Sequence, residues 1–235
     1  MSSTYNTNDQ LYFHEEILLL ALREDDGKIE GKAQFEYQHL LAAALVAELL
    51  IQEKIEINDP KKLTIAVRSS SSTGNSLLDE ALEKISKNKP RSATHWIQTL
   101  SNISNLQGKA AADLCNRGIL AAEDGKIFFF FDKVYYPELN PKPEMRLISR
   151  LEKAIFGNSY HIDERTLILL SLLRKSELLK IPFDAKALKE RRHHMKNICE
   201  GSLLGTSTQA AVQAAQTALM VATIIPAVTT TVITS

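Results

Sequence analysis

Two stretches of the chain are apolar on nearly every side of a helix. Residues 11–22 (LYFHEEILLLAL) are interrupted only by the run HEE, and residues 35–53 carry the run LLAAALVAELLI. A helix without a polar face has to be buried on most of its surface. We therefore predict that both segments are core helices, and that Asp9 caps the first of them.

Alternating and β-branched positions predict two β-hairpins. Residues 54–57 and 63–67 flank an Asn-Asp-Pro turn, which is typical of an antiparallel pair. A similar unit of helix followed by hairpin recurs at 112–130, where the sequence predicts a turn at 123–126. Such hairpins would project from a helical body.

The remaining pattern has helical periodicity. The predicted helices span residues 77–86, 93–100, 103–116, 144–156, 163–179 and 184–199. Between the second hairpin and the next helix, Pro137, Pro141 and Pro143 predict a stiff loop that is neither helix nor central strand. The fold class is therefore mainly α, a single compact helical domain with projecting β-hairpins.

The C-terminal segment differs from the rest of the chain, since no charged residue follows Glu200. We divide the chain into a disordered N-terminus (1–10), a helical domain (11–206) and an apolar last helix with its tail (207–235). Three interpretations of the tail stay open: a helix over 209–225 that packs into the domain, insertion into a membrane, or self-association into a homo-oligomer. The length suffices for a membrane span, but Pro226 and the many threonines favour packing.

Composition and charge narrow the function classes. The 28 basic residues balance 28 acidic ones, so no overall field attracts nucleic acid. Cys115 and Cys199 indicate thiols in a reducing compartment, and the polar N-terminus is no signal peptide, so we expect a cytoplasmic protein. The sequence has no glycine-rich phosphate loop, nucleophile elbow or paired metal motif. We therefore predict no enzyme activity and no cofactor.

Several blocks occur in an order that resembles the Golgi phosphoprotein 3 family. They are LYFHEEILLLAL at 11–22, TGNSLLDEAL at 73–82, WIQTLS at 96–101, RGIL at 117–120 and DERTLILLSLLRKSELLK at 163–180. The resemblance implies a peripheral membrane protein or adaptor on the cytosolic membrane face. It also implies binding of phosphatidylinositol 4-phosphate and of cytoplasmic segments of membrane proteins.

The resemblance further implies a headgroup pocket made by one tryptophan and three arginines. Carried over to this chain, the four positions are Ala33, Ala42, Ser104 and Gln107. Each lost charge-assisted hydrogen bond removes roughly 1.5 to 3 kcal/mol, so we expect that this pocket does not bind tightly here. The candidate substitutes for lipid binding are Lys32, Phe35 and Lys109. The ordinary alternative is two solvated lysines and a core phenylalanine.

The run KERRHHMK at 189–196 is a second candidate for an anionic partner. On one helix it would place Lys189, Arg192 and Lys196 on adjoining turns, where they would contact lipid phosphates. The alternative is a solvated helix face. Two other function classes stay open: a scaffold that binds only proteins, and a winged-helix-like module for nucleic acid, which the zero net charge disfavours.

Overall fold

Helix α2 (Gln34–Ile51) lies at the centre of the fold. The computed structural model describes residues 10–22, 34–59, 61–127, 131–157 and 162–200. From Tyr37 to Leu50, every side chain of α2 except Gln38 is buried. Helix α1 (Phe13–Ala21) is buried along its whole length and packs against α2. The prediction of two core helices is confirmed.

Further helices surround this pair, so the mainly α fold class is confirmed. They are α3 (Ser76–Ser86), α4 (Ala93–Ser101), α5 (Leu106–Asn116), α6 (Lys142–Phe156), α7 (Glu164–Leu173), α8 (Ala185–Glu190) and α9 (Arg192–Glu200). Helix α4 packs on α2, while α5 and α6 contact α1. Burying each leucine of this core contributes roughly 1.5 to 3 kcal/mol.

The first hairpin forms as predicted. Strands β1 (Ile55–Asp59) and β2 (Thr64–Val67) pair antiparallel, and Ile55 and Ile65 are their buried positions. A short strand β3 (Arg91–Ser92) extends the sheet on the β2 side. The sequence does not predict β3, because two residues are too few to show alternation.

The second hairpin is present but shifted along the chain. Strands β4 (Glu123–Ile127) and β5 (Phe131–Tyr135) pair antiparallel, with Gly125 opposite Lys133. The predicted turn at 123–126 is therefore wrong, since those residues form a strand. An Asp-Gly pair favours a turn locally, but here the five-residue ladder outweighs that preference.

The RGIL segment forms the junction between α5 and the second hairpin. Gly118 adopts a φ of 66°, and its N–H donates to the carbonyl of Cys115 at 3.0 Å. The N–H of Ile119 donates to the carbonyl of Leu114 at 2.9 Å. These bonds form a Schellman motif, which satisfies the last carbonyls of α5 and requires glycine at the left-handed position.

Two predicted helix starts need correction. The N-cap of α1 is Tyr12 and not Asp9; the N–H of Tyr12 donates to the Glu15 carboxylate at 2.8 Å. Pro143 lies in the first turn of α6 and not in a loop. A proline is tolerated there because the first backbone N–H groups of a helix have no intrahelical partner.

Two predicted helices are shorter in the structure. The segment 163–179 is helical only to Leu173, and a 3₁₀ turn (Glu177–Lys180) follows. The segment 184–199 forms two helices separated at Arg191, whose guanidinium donates to the carbonyl of Phe156 at 2.9 Å. We attribute the break to this contact, which holds Arg191 against the end of α6.

The predictions for the chain termini lie outside the described residues. These are the disordered N-terminus, apart from Gln10, and the interpretations of 207–235. Within the described residues, no helix combines the length and the apolar character that crossing a bilayer requires.

Candidate anion-binding site

The positions carried over from the family pocket lie in different environments. Ala42 is fully buried in α2, Ser104 is exposed just before α5, and Gln107 is half-buried in the first turn of α5. Ala33 lies outside the described residues. None of the three described side chains brings a positive charge toward a phosphate.

The three candidate substitutes give little support to a headgroup site at these positions. The ammonium group of Lys109 lies 2.6 Å from the Glu80 carboxylate, so a carboxylate already neutralises it. Lys32 lies outside the described residues, and Phe35 belongs to α2 with its side chain outside them. A lysine held by a carboxylate is less available to a second anion.

The basic run at 189–196 is divided between two helices. Lys189 is exposed in α8, whereas Arg192 and Lys196 are exposed in α9, one turn apart. The break at Arg191 separates the first residue from the other two. The sequence prediction of one continuous basic face therefore applies to α9 alone.

A concavity of about 480 Å³ lies where α9 packs against the end of α7. Its lining residues are Arg174, Lys175, Arg192, His193, Met195, Lys196 and Glu200. Apart from His193, the lining carries four cations and one carboxylate, a net of three positive charges. Small-molecule sites in proteins commonly have volumes of roughly 300 to 1,000 Å³. The concavity is thus large enough for a small anionic group.

The cations of this concavity are only loosely neutralised. The Glu200 carboxylate lies 3.8 Å from Arg174 Nη2 and 3.9 Å from Lys196 Nζ. Within the described part of the chain, the side chains of Lys175 and Arg192 make no hydrogen bond or ion pair. Charge-assisted hydrogen bonds are about 2.7 to 2.9 Å long, so the site keeps unused capacity for an anion.

Three residues of this concavity lie outside the basic run that the sequence prediction names: Arg174, Lys175 and Glu200. Arg174 and Lys175 follow the last turn of α7, far from the basic run in sequence. An Arg-Lys pair directly after an apolar helix was the available signal. Its meaning depends on the packing of α7 against α9, which periodicity does not reveal.

A second charged cluster lies in the core around α1. Three buried carboxylates each meet an arginine from a different part of the chain: Glu15 with Arg117 (3.3 Å), Glu16 with Arg150 (2.7 Å) and Glu48 with Arg165 (2.8 Å). The three arginines lie just after α5, in α6 and in α7. The pairs therefore tie the two core helices to three later helices.

Burial also perturbs the titration of this cluster. His14 is fully buried, its ring stacks on Tyr12 at 5.6 Å, and neither ring nitrogen has a hydrogen-bond partner in the described residues. Burial lowers the pKa of His14 to about 4. Burial raises the pKa of Glu15 to about 8, and the N–H of Tyr12 and the Arg117 guanidinium offset only part of that rise. Because both side chains are enclosed, we assign this cluster to the fold and not to ligand binding.

The structure thus has a helical body with two hairpins and a surface concavity rich in cations. Among the described residues, no group of three His, Cys, Asp or Glu could hold a metal ion. These features define a helical protein with a candidate anion-binding surface.

The chain belongs to the Golgi phosphoprotein 3 (GPP34) family, whose model matches residues 13–215. This confirms the resemblance drawn from the sequence blocks. Over 142 residues the chain is 27% identical to vacuolar protein sorting-associated protein 74 of Eremothecium gossypii. That match covers 52% of this chain and 42% of the relative, so the matched region spans less than half of the relative's length.

Proposed function

We propose that this chain is a non-catalytic adaptor that associates peripherally with anionic membrane surfaces at the cytosolic face. The observation that carries the proposal is the α7–α9 concavity, which concentrates three net positive charges in a chain with no net charge. Local cationic clusters bind anionic headgroups even where the whole protein is neutral. The sorting role in the name of the Eremothecium gossypii relative agrees with an adaptor.

The proposed membrane contact differs from the family pocket. Phosphatidylinositol 4-phosphate is the lipid that the family implies, but Ala42, Ser104 and Gln107 offer no cation for its phosphates. We therefore place lipid contact on α9. Arg192 and Lys196 supply the cations there. They would attract anionic lipids in general, such as phosphatidylserine or phosphatidylinositol 4-phosphate.

The sequence between β4 and β5 supports a membrane role. It carries Phe128, Phe129 and Phe130, which lie outside the described residues. Hairpin connections usually favour glycine, asparagine and aspartate because of their backbone requirements. Three consecutive aromatic residues are instead typical of segments that enter the membrane interface. These phenylalanines would add apolar anchoring to the electrostatic attraction of α9.

An adaptor also needs a surface for its cargo. Leu139 and Met145 expose 62% and 64% of their surface, just before and within the first turns of α6. They are the most exposed large apolar side chains of the described residues, and exposed apolar surface is where protein partners commonly bind. We propose cytoplasmic segments of membrane proteins as that cargo. A scaffold that binds only proteins is the alternative, and it predicts no vesicle binding.

Vesicle sedimentation tests the proposal directly. The full chain is mixed with vesicles of phosphatidylcholine alone, or with added phosphatidylserine or phosphatidylinositol 4-phosphate, and duplex DNA is tested separately. We expect sedimentation with both anionic vesicles and little with neutral ones or DNA. Replacing Phe128, Phe129 and Phe130 by serine should weaken vesicle binding about tenfold. Recovery with neutral and anionic vesicles that does not exceed recovery without vesicles would overturn the proposal in favour of the scaffold.

A further inference from the structure

We infer that the α7–α9 concavity binds an acidic peptide segment of a protein partner, and that Arg174 pairs with a carboxylate side chain of that peptide. The inference goes beyond the membrane association proposed above and does not require it. It also differs from the apolar cargo contact proposed at Leu139 and Met145. It assigns the recessed and the protruding cations of one concavity to two different partners.

The lining residues of the concavity differ in how far they reach into solvent. The side chain of Arg174 is only 13% exposed and Met195 is 4% exposed, and we call these two residues the floor. Lys175, Arg192 and Lys196 are exposed, and we call them the rim. A membrane surface attracts cations that protrude toward it, whereas a recessed guanidinium is reached only by a group that enters the concavity. The floor and the rim therefore suit different partners.

The end of α7 holds Arg174 in place. Its N–H donates to the carbonyl of Leu170 at 2.8 Å, and the neighbouring Leu173 and Ser176 are buried. A guanidinium donates in a planar fork, which matches the two oxygens of a carboxylate. A donor whose position is already fixed loses little conformational entropy when a ligand binds. Arg174 is therefore the residue of the concavity that is best prepared for a carboxylate.

Glu200 indicates which anion the cations accept. Its carboxylate lies 3.8 Å from Arg174 Nη2 and 3.9 Å from Lys196 Nζ. Both distances exceed the length of about 2.7 to 2.9 Å that charge-assisted hydrogen bonds have, so Glu200 faces these cations without fully occupying them. A peptide carboxylate can make the shorter contacts, and Glu200 would compete with it. Because the concavity already faces a carboxylate of its own chain, aspartate and glutamate side chains are matching ligands.

The size and the charge of the concavity favour a peptide over a single small anion. Its volume of about 480 Å³ exceeds what one carboxylate fills, and a net of three positive charges remains after Glu200 is counted. Several acidic side chains of one segment are needed to neutralise that charge. Met195 adds an apolar contact for the methylene groups of these side chains. Complementary charge of this kind gives specificity for a partner and fast association.

Fluorescence anisotropy with defined peptides tests the inference on the full chain. The probe is a labelled peptide with the sequence Asp-Glu-Leu-Asp-Glu, and the control peptide has Asn-Gln-Leu-Asn-Gln. We expect the acidic peptide to bind at least about tenfold more tightly than the control. Arg174→Gln should weaken binding of the acidic peptide about tenfold, since it removes a charge-assisted hydrogen bond. Glu200→Gln should tighten it about threefold, because it removes a competing carboxylate.

Matched variants outside the concavity control for overall charge. Lys186→Gln and Glu190→Gln make the same charge changes on exposed positions of α8. Both should bind the acidic peptide within about twofold of the native chain. Arg192→Gln measures the site at an exposed position, independently of how well the chain packs around a substituted Arg174. It should weaken peptide binding about fivefold.

Vesicle sedimentation with the same variants separates the floor from the rim. Arg174→Gln should bind phosphatidylserine vesicles within about twofold of the native chain, whereas Arg192→Gln should bind them about fivefold more weakly. If Arg174→Gln lost vesicle binding as strongly as peptide binding, a lipid headgroup would enter the concavity, and the peptide assignment would be overturned. Vesicle binding by the native chain is measured separately, so a failure of membrane association is distinguishable from a failure of this inference.

Two further outcomes would overturn the peptide site. One is equal affinity for the acidic and the control peptide, or equal effects of each variant and its α8 control. The other is displacement of the labelled peptide by free glutamate at the same concentration as by unlabelled peptide, because the ligand would then be a single carboxylate. Displacement by the unlabelled peptide at a concentration at least about tenfold lower supports a peptide, since several linked carboxylates bind more tightly than one.

Discussion

The charged cluster around α1 and the concavity at α7–α9 use the same residue types in opposite ways. In the core, each buried carboxylate is paired with an arginine. At the surface, four cations share one carboxylate at distances close to 4 Å. A charge that is removed from water needs a partner, whereas an exposed charge can remain available for a ligand.

The comparison separates charges that hold the fold from charges that can bind. Glu48 shows the first kind: it accepts two hydrogen bonds from Arg165 at 2.8 and 3.0 Å, and one from the N–H of Phe13 at 3.1 Å. Arg192 shows the second kind, since it is exposed and has no partner among the described residues. Substitutions should therefore affect stability in the first region and binding in the second.

The largest expected effect follows from breaking the pair of Glu48 and Arg165. Arg165→Ala leaves Glu48 buried without its main partner, and it removes a cation–π contact of 4.2 Å with Phe13. We expect the free energy of unfolding to fall by about 3 kcal/mol or more. Urea denaturation at neutral pH measures this. Arg192→Ala, the surface control, should change stability by less than about 0.5 kcal/mol. Similar losses in both variants would contradict the distinction between the regions.

The pH dependence of stability tests the buried cluster around α1 through His14. Its folded pKa of about 4 lies below the ordinary value of 6.5. Between these values the unfolded chain binds a proton that the folded chain excludes, so the contribution of His14 to native stability falls as pH falls from 6.5 to 4. From pH 7.5 to 5 the loss amounts to about 2 kcal/mol. The variant His14→Leu should lack this contribution. From pH 7.5 to 5, its free energy of unfolding should therefore rise relative to that of the native chain by about 2 kcal/mol. If the stability difference between His14→Leu and the native chain stayed constant with pH, His14 would not be a buried neutral histidine with a lowered pKa.

Glu15 titrates in the opposite sense. Its folded pKa of about 8 lies above the ordinary 4.5, so the folded chain holds a proton that the unfolded chain has released. The contribution of Glu15 to stability therefore falls as pH rises from 4.5 to 8, by about 1.4 kcal/mol between pH 6 and pH 7. Glu15→Gln should remove this slope, and Glu190→Gln on exposed α8 should keep it. Parallel pH profiles for the Glu15 variant and the native chain would rule out the raised pKa.

The fold could be predicted from sequence where burial dictates the pattern. Helices α1 and α2 have no polar face, so only the core can accommodate them. The second hairpin was misplaced because the Asp124–Gly125 pair gave a local turn signal that strand pairing overrode. The strand β3 and the break at Arg191 depend on contacts with distant segments. Contacts between distant segments cannot be predicted from the local sequence pattern.

The candidate site was only partly predictable for the same reason. Arg192 and Lys196 were found because they lie four residues apart on one helix. Lys189 belongs to the same run, but the break at Arg191 leaves it outside the lining of the concavity. Arg174 and Glu200 join the site only through the packing of α7 and α9. The buried contacts between carboxyl groups and arginines around α1 likewise join residues more than 100 positions apart.

Raising the salt concentration has the smallest expected effect. It should weaken vesicle binding by the surface cations while leaving the stability contribution of the buried pairs nearly unchanged. Exposed charges are screened within about 10 Å at 0.1 M ionic strength and within about 3 Å at 1 M. Raising sodium chloride from about 0.1 to 0.5 M should therefore weaken binding to anionic vesicles about fivefold. The buried pairs are screened much less, so the stability difference between Arg165→Ala and the native chain should change by under about 0.5 kcal/mol. Sedimentation and urea denaturation at the two salt concentrations measure both quantities. Vesicle binding that does not change with salt would contradict an electrostatic contact through α9. It would instead favour an apolar contact through Phe128, Phe129 and Phe130.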